Sequence, residues 1–452
     1  MKGIVVFDIG KTNKKVLLFN EALQVVEQQE QKMNTITDDE GFECDDLASI
    51  EQWVIESLKN YLSRPSLEVV AVNFSTYGAS LVFLDEKGRP LTPLYNYLKP
   101  VEEHIAHRLF EKYGGEEEFC RQTASPSLGL LLNSGIQILW MKETRRELFD
   151  RTASILHFPQ YLSFLFTNKV LAESTSIGCH TYMWNFDQNS YHRWLADEEI
   201  DLPAPVSNTR LVEAEVDGKH LKVGVGIHDS SASLVPYLMG SDEQFVLLST
   251  GTWCISMNPY NDEVLTADEL RNDCLNYINI YQKPVKSARY FMGHIHDVNV
   301  ERINTHFGAA DDDYKKVLLS KSLLEQQMKS GRKVFFKKGT PEGYLDEAAD
   351  LNLFADFNEA YHQLMFDLSD ETIHSLQLVV PKHDNVSALI VSGGFARNPI
   401  FMQYLAARFP DKKVYTSEID NASALGAAMV CAEDALGLSN LKPDLGLQRW
   451  EV

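Results

Sequence analysis

Short segments of this chain bring carboxylates, hydroxyls and glycines together at spacings suited to phosphate chemistry. The first is Asp8-Ile9-Gly10-Lys11-Thr12-Asn13. It is neither a Walker A loop nor a G-x-G-x-x-G turn, and a strand-like run rather than a helix follows it, so binding at a helix N-terminus does not fit. A tight glycine turn between two strands can still aim several N–H groups at an anion. Asp8 at the strand end could hold hydrated Mg²⁺, which takes one or two carboxylates plus phosphate oxygens. The competing reading is a plain hairpin turn in which Asp8 and Asn13 bond the local backbone. Ser249-Thr250-Gly251-Thr252 repeats the hydroxyl–glycine–hydroxyl pattern in the second half of the chain. Two such turns facing each other across a cleft would grip one polyphosphate from both sides.

A third segment runs Gly224-Val225-Gly226-Ile227-His228-Asp229-Ser230-Ser231. An apolar strand ends at Ile227, and small residues then open a helix-like run. Ligands of open α/β sheets bind outside the carboxyl ends of strands. Asp229 could there accept the proton of a substrate hydroxyl, or it could serve as a helix N-cap. In the fourth segment, Ser392-Gly393-Gly394-Phe395-Ala396-Arg397-Asn398, paired glycines after a strand let a flat ligand approach the backbone. His294-Ile295-His296-Asp297 reads as a strand with two histidines on one face. No third ligand of fitting spacing accompanies them, and catalytic zinc takes three.

The elements that must position these residues alternate between strands and helices. Gly3–Phe7 and Lys15–Phe19 read as a hairpin, and Phe245 opens a second hairpin of the same kind around Gly251. That recurrence suggests two domains of duplicated architecture, with coincidence between two ordinary hairpins as the alternative. Helical spacing is clear over Glu51–Leu62, Asn358–Val380 and Ala422–Ala435, and strands are expected at Val69–Phe74, Ala79–Leu84 and Ala388–Ser392. The pattern is α/β, with domains at 1–240 and 241–452. Of the 452 residues 44% are hydrophobic and 23% charged, an ordinary globular composition, and the formal net charge is −22. That charge argues against nucleic acid or an anionic membrane surface as the main partner. Six scattered cysteines without a C-x-x-C pair, and no signal-peptide or membrane-spanning pattern, lead us to expect a reduced, cytoplasmic setting.

Taken in this order, the segments resemble those of the FGGY carbohydrate kinases, and within them the branch of rhamnulose and fuculose kinases. Asp8-Ile9-Gly10-Lys11-Thr12-Asn13 with Lys15 is similar to the family's first phosphate motif, and Ser249-Thr250-Gly251-Thr252-Trp253 to its second. Ser75-Thr76-Tyr77-Gly78-Ala79-Ser80, followed by Tyr95-Asn96-Tyr97, resembles the sugar segment. His228-Asp229 resembles the branch's His-Asp pair, Gly393-Gly394 with Asn398 the adenosine motif, and Ala424-Leu425-Gly426-Ala427-Ala428 the closing helix. Departures from the pattern are Lys11 and Asn13 in the first turn, Ala79-Ser80 in the sugar segment, and Leu98-Lys99 after Tyr97. Arg289-Tyr290-Phe291-Met292-Gly293 keeps a family glycine but lacks the nearby Asn.

The resemblance implies an actin-like ATPase fold, related to ribonuclease H, with two domains of mixed sheet and helices around a cleft. It implies ATP and Mg²⁺, and phosphorylation of a ketose hydroxyl with Asp229 as general base. Gly10, Thr12, Asn13, Lys15, Gly251, Thr252, Gly393, Gly394 and Asn398 would hold the nucleotide. Asp8 and Asp229 would hold the metal, and Thr76, Tyr77, Gly78, Tyr97 and His228 the sugar. Tyr77, Tyr95 and Tyr97 offer aromatic faces and hydroxyls but no cation, which favours a 6-deoxyketohexose or a ketopentose over glycerol or a sugar acid. Monomer and homodimer both remain open. The alternatives are a non-enzymatic sugar or nucleotide sensor on the same scaffold, since fold does not fix function, and a phosphohydrolase.

Overall fold

The computed structural model describes residues 1–381, 384–439 and 441–451. The β-branched run near the amino terminus forms β1 (Lys2–Ile9), whose side chains alternate between two buried faces. Val5 and Phe7 pack under α1 (Leu47–Leu62) with Ile50, Val54 and Leu58. Ile4 and Val6 face the opposite way. A strand buried on both faces must be apolar at every position, which is what this run supplies.

β1 pairs antiparallel with β2 (Lys14–Phe19), which pairs with β3 (Val25–Gln31). On its other side β1 runs parallel to β4 (Glu68–Thr76). Beyond β4 lie β5 (Leu211–Val216), β6 (Lys219–Gly224) and the short β7 (Ile227–His228), giving the order β5-β6-β4-β1-β2-β3 with β7 on β4. The second sheet repeats this plan. β8 (Phe245–Thr250) is antiparallel to β9 (Cys254–Asn258) and parallel to a later strand on its other edge. β10 (Cys274–Ile278), β11 (Pro284–Tyr290), β12 (Ala388–Gly393), β13 (Lys413–Thr416) and β14 (Gln448–Trp450) complete the order β10-β11-β9-β8-β12-β13-β14. β1, β2 and β4 thus correspond to β8, β9 and β12, so the recurrence extends beyond the two hairpins.

Two helices tie the sheets together. α2 (Asp229–Gly240) buries Ala232 and Val235 against the first sheet and Leu234 and Tyr237 against the second. α3 (Ala422–Leu436) comes from the far end of the chain, yet its Ala424, Ala427 and Ala428 pack on Ile4, Val6 and Ala71 of the first sheet. Asn73 in β4 donates its amide to the Ala427 carbonyl at 2.8 Å. The small-residue stripe permits this closeness: a Cβ at Gly426 would fall 1.9 Å from the Ala232 carbonyl oxygen.

The expected strand at 294–297 is instead the first turn of a helix, Met292–Phe307. Ile295, Val300 and Ile303 recur at helical spacing and are buried together, which overrides the local alternation. His294 and His296, two apart on a helix, therefore point away from each other. The described residues contain no group of three or more metal-ligating side chains, and no helix among them is long and apolar enough to cross a membrane.

Candidate active site

Strand register gathers the first set of side chains. Asp8 lies opposite Ser75 in β4, and Ile9 opposite Thr76. Ile227 and His228 of β7 sit opposite the same Ser75 and Thr76. Three parallel strands therefore end together, and Asp8, His228 and Asp229 emerge at their carboxyl ends. The start of α3 closes over them. Ser423 donates its hydroxyl to Asp8 at 2.9 Å, and Lys15 reaches the Asn421 amide oxygen at 3.2 Å. The Asp8 carboxyl is held above the ordinary carboxylate range, first by burial, against which the Ser423 bond works, and then by the charge of Asp229. Ser423 and Asn421 carried no signal in the sequence, because nothing local links them to a turn over 400 residues away.

Asp229 is the first residue of α2, and His228 occupies the cap position. The Asp229 carboxylate accepts from the Ser230 N–H at 2.6 Å, its immediate neighbour, rather than from N–H groups one turn on. It is not acting as the N-cap, and its side chain is 35% exposed. His228 is buried, with Nε2 3.2 Å from Asp229 and 3.3 Å from the Cys179 sulfur. Burial alone would depress its pKa, but Cys179, Asp229 and the buried Glu173 outweigh that and lift it to about 9. Gly78 makes room for this ring, since a Cβ there would meet His228 at 3.0 Å.

The residues expected to touch the sugar divide. Thr76 is fully buried and donates its hydroxyl to the Tyr77 carbonyl, so it offers nothing outward. Tyr95 packs edge-on against Trp140, with its hydroxyl on Asp39. It belongs to the core rather than to a pocket. Tyr77 and Tyr97 do come together, with ring centroids 5.9 Å apart. Their faces are not free of charge, however: the Lys11 ammonium stands 5.4 Å from the Tyr77 centroid and 5.7 Å from that of Tyr97. The expectation of a cation-free pocket is therefore corrected. Lys99, one of the departures from the pattern, is buried on Asp38 at 2.5 Å and lies within the core.

The second-half segments converge on a cavity of about 660 Å³, lined by Gly251, Thr252, Gly293, Tyr361, Gly394 and Asn398 among others. Its glycines differ in purpose. Gly394 faces open space, while Gly393, at φ +89°, lies so close to the Thr250 carbonyl oxygen that a Cβ would fall 1.8 Å from it. Gly293 presses on the Gly251 turn in the same way, at 2.5 Å. Gly251 has neither a positive φ nor a crowded Cβ direction. Asn398 caps its helix through the N–H groups of Ile400 and Phe401 and donates to the Tyr361 hydroxyl at 2.9 Å. His294, His296 and Asp297 line this cavity too. Gly10, Thr12 and Asn13 form the turn after β1, closed by a 2.9 Å bond from the Gly10 N–H to the Asn13 carbonyl, and lie outside that lining.

Two repeated sheets, two bridging helices and ligand groups at the carboxyl ends of the strands define the actin-like class of two-lobed nucleotide-cleft folds. Residues 3–207 match the N-terminal domain of the FGGY family of carbohydrate kinases, and residues 242–439 match the family's C-terminal domain. The chain belongs to the FGGY family of carbohydrate kinases. It is 23% identical to a rhamnulokinase of Oceanobacillus iheyensis over 261 residues, 55% of this chain and 54% of that protein. The chain thus spans about half the length of the rhamnulokinases it matches. A probable L-xylulose kinase of Haemophilus influenzae is 21% identical over 96% of this chain and 91% of its own. Among solved structures, a carbohydrate kinase from Novosphingobium aromaticivorans superposes with a TM-score of 0.81 at 24% identity, covering 99% of this chain and 96% of its own. That likeness bears on the fold.

Proposed function

We propose that this protein transfers the γ-phosphoryl group of ATP to a hydroxyl of a small ketose, a 6-deoxyketohexose or a ketopentose. The observation that carries the reading is the convergence of Asp8 and Asp229 at the ends of the two strands that flank β4, beside the Tyr77–Tyr97 pair. Family membership supplies the nucleotide, and the names of the relatives, rhamnulokinase and L-xylulose kinase, suggest the sugar class. The division at residue 240 assigns the sugar and the catalytic carboxylates to residues 1–240 and the nucleotide cavity to residues 241–452, with α3 returning to the first sheet.

Asp229 is the general base. Its carboxylate is partly exposed and held by the Ser230 N–H, so it can orient the acceptor hydroxyl and take its proton as the oxygen attacks phosphorus. His228 stabilises that carboxylate from behind as an imidazolium. Asp8 and Asp229 suit Mg²⁺, whose coordination takes one or two carboxylates plus phosphate oxygens. A cation between them would also relieve the repulsion from Asp229, which adds to burial in raising the Asp8 pKa. When bound, Mg²⁺ would neutralise charge on the transferring phosphate. Gly10, Thr12, Asn13 and Lys15 would face the phosphates from one side, and Gly251 and Thr252 from the other. Gly393, Gly394 and Asn398 would frame the adenosine.

The deciding experiment is Asp229→Asn, which keeps the shape of the side chain but cannot take a proton. A coupled assay against a panel of ketoses should show turnover lower by ~10²–10⁴-fold, while calorimetry shows ATP binding little changed. A variant retaining a third or more of wild-type turnover would remove Asp229 as the base. ATP turnover in the wild type that is equal with and without every sugar would instead identify a phosphohydrolase.

A further inference from the structure

We infer that Lys11 is a specificity-determining residue of the acceptor site, which selects a ketose with an oxygen at the end remote from Asp229, a ketopentose rather than a 6-deoxyketohexose. The inference rests on the phosphotransfer reading above and narrows its substrate.

Lys11 belongs to the first glycine turn, but its ammonium does not remain with the turn. It lies over the rings of Tyr77 and Tyr97 and is held by Asp45 at 2.6 Å. Asp45 is already committed elsewhere: it takes the buried Lys14 ammonium at 2.8 Å and the Tyr77 hydroxyl at 2.8 Å. One carboxylate thus faces two ammonium groups. Asp38 and Glu40 are themselves paired, Asp38 with Lys99 at 2.5 Å and Glu40 with Lys99 at 2.7 Å and with Arg145. An ammonium carries three N–H donors, and Asp45 is the sole acceptor of Lys11 among the described residues. Two donors therefore remain on a side chain that is only 26% exposed.

Tyr97 ties this group to the reacting centre. Its ring packs on that of Tyr77, whose hydroxyl bonds Asp45 and whose neighbour Thr76 lies opposite His228, the residue before Asp229. A small acceptor with one hydroxyl on Asp229 and its chain along Tyr97 brings its other end to Lys11. Binding strips water from that ammonium, and a donor left without a partner in a closed site is costly. A ketopentose ends in a hydroxyl that satisfies it, whereas a 6-deoxyketohexose presents a methyl group. Sites built to bond a hydroxyl reject analogues that lack it far more strongly than apolar pockets reject an extra methylene.

The test compares xylulose and rhamnulose as acceptors for the wild type, Lys11→Met and Lys11→Thr. In both variants Asp45 keeps Lys14 and Tyr77, and thermal melts confirm that they are folded. The wild type should favour xylulose by at least about tenfold in kcat/KM. Both variants should lose that preference through a higher KM for xylulose, with KM for ATP nearly unmoved. An equal loss on both sugars, a preference that survives, or a rise in KM for ATP, which would return the ammonium to the phosphates, overturns the inference. Should the wild type phosphorylate no ketose of the panel, the phosphotransfer reading fails, and calorimetry then judges Lys11 separately. Xylulose binding that weakens about tenfold in Lys11→Met supports its role, while binding that is absent or unchanged overturns it.

Discussion

His228 and Asp229 are adjacent in sequence but sit in opposite environments, one sealed beneath Gly78 and Cys179 and the other partly open to the cleft. The buried ring is expected to carry charge because Cys179, Asp229 and Glu173 overcome the cost of burying it. An unfolded histidine titrates near 6.5, and this one near 9. The contribution of the pair to stability is therefore complete below about pH 6.5 and lost as pH rises through 9. Denaturant unfolding of the wild type and His228→Gln between pH 6 and 10 should show the wild-type advantage shrinking across that window. A difference independent of pH would mean that the ring is neutral throughout.

At the scale of elements, the two glycine turns of the second sheet divide structure from binding. Gly393 is required by the backbone itself, through its left-handed φ and the Thr250 carbonyl against it. Gly393→Ala should cost about 1–3 kcal/mol in a denaturant melt, the range for overpacking that displaces backbone. A Cβ at Gly251 meets no crowding and its φ is not left-handed, so the stability of Gly251→Val should stay within ~0.5 kcal/mol of wild type. Calorimetry should nevertheless show an ATP analogue binding far more weakly to Gly251→Val, with ketose binding intact, because the branched side chain stands where phosphate must approach the turn. Unchanged nucleotide affinity would remove this turn from the phosphate site.

At the scale of the molecule, α2 and α3 make one packed unit between the sheets, and the carboxylates of Asp8 and Asp229 hang on it. Asp229 begins α2, and Ser423 near the start of α3 holds Asp8. Gly426 is where the two helices touch, backbone to backbone. Gly426→Val should push α3 off α2, lower the melting temperature, and reduce kcat by loosening the Ser423–Asp8 contact. ATP-analogue binding in the second-half cavity should persist, since none of its lining comes from α3. A variant with wild-type melting and turnover would show that the contact is not needed.

Much of the fold and the outline of the site were legible in the residues alone. Continuous apolar runs marked β1, β4, β8 and β12, glycines marked the turns, and the order of the segments pointed to the family. These signals are local, carried by residues within one or two elements of each other. Other features depended on contacts between distant parts of the chain. His294 and His296 read as a strand over four residues but lie on a helix, because Ile295, Val300 and Ile303 are buried together across its turns. Thr76 and Tyr95 carried the right chemistry and turned inward, toward Tyr77 and Trp140. Lys11 looked like a phosphate-loop residue until Asp45, 34 positions away, drew its ammonium over Tyr77 and Tyr97. The return of α3 to the first sheet, with Ser423 meeting Asp8 across 415 positions, was beyond any local pattern. Periodicity and turn chemistry are written in neighbouring residues, whereas burial and charge pairing arise only once the chain has closed on itself.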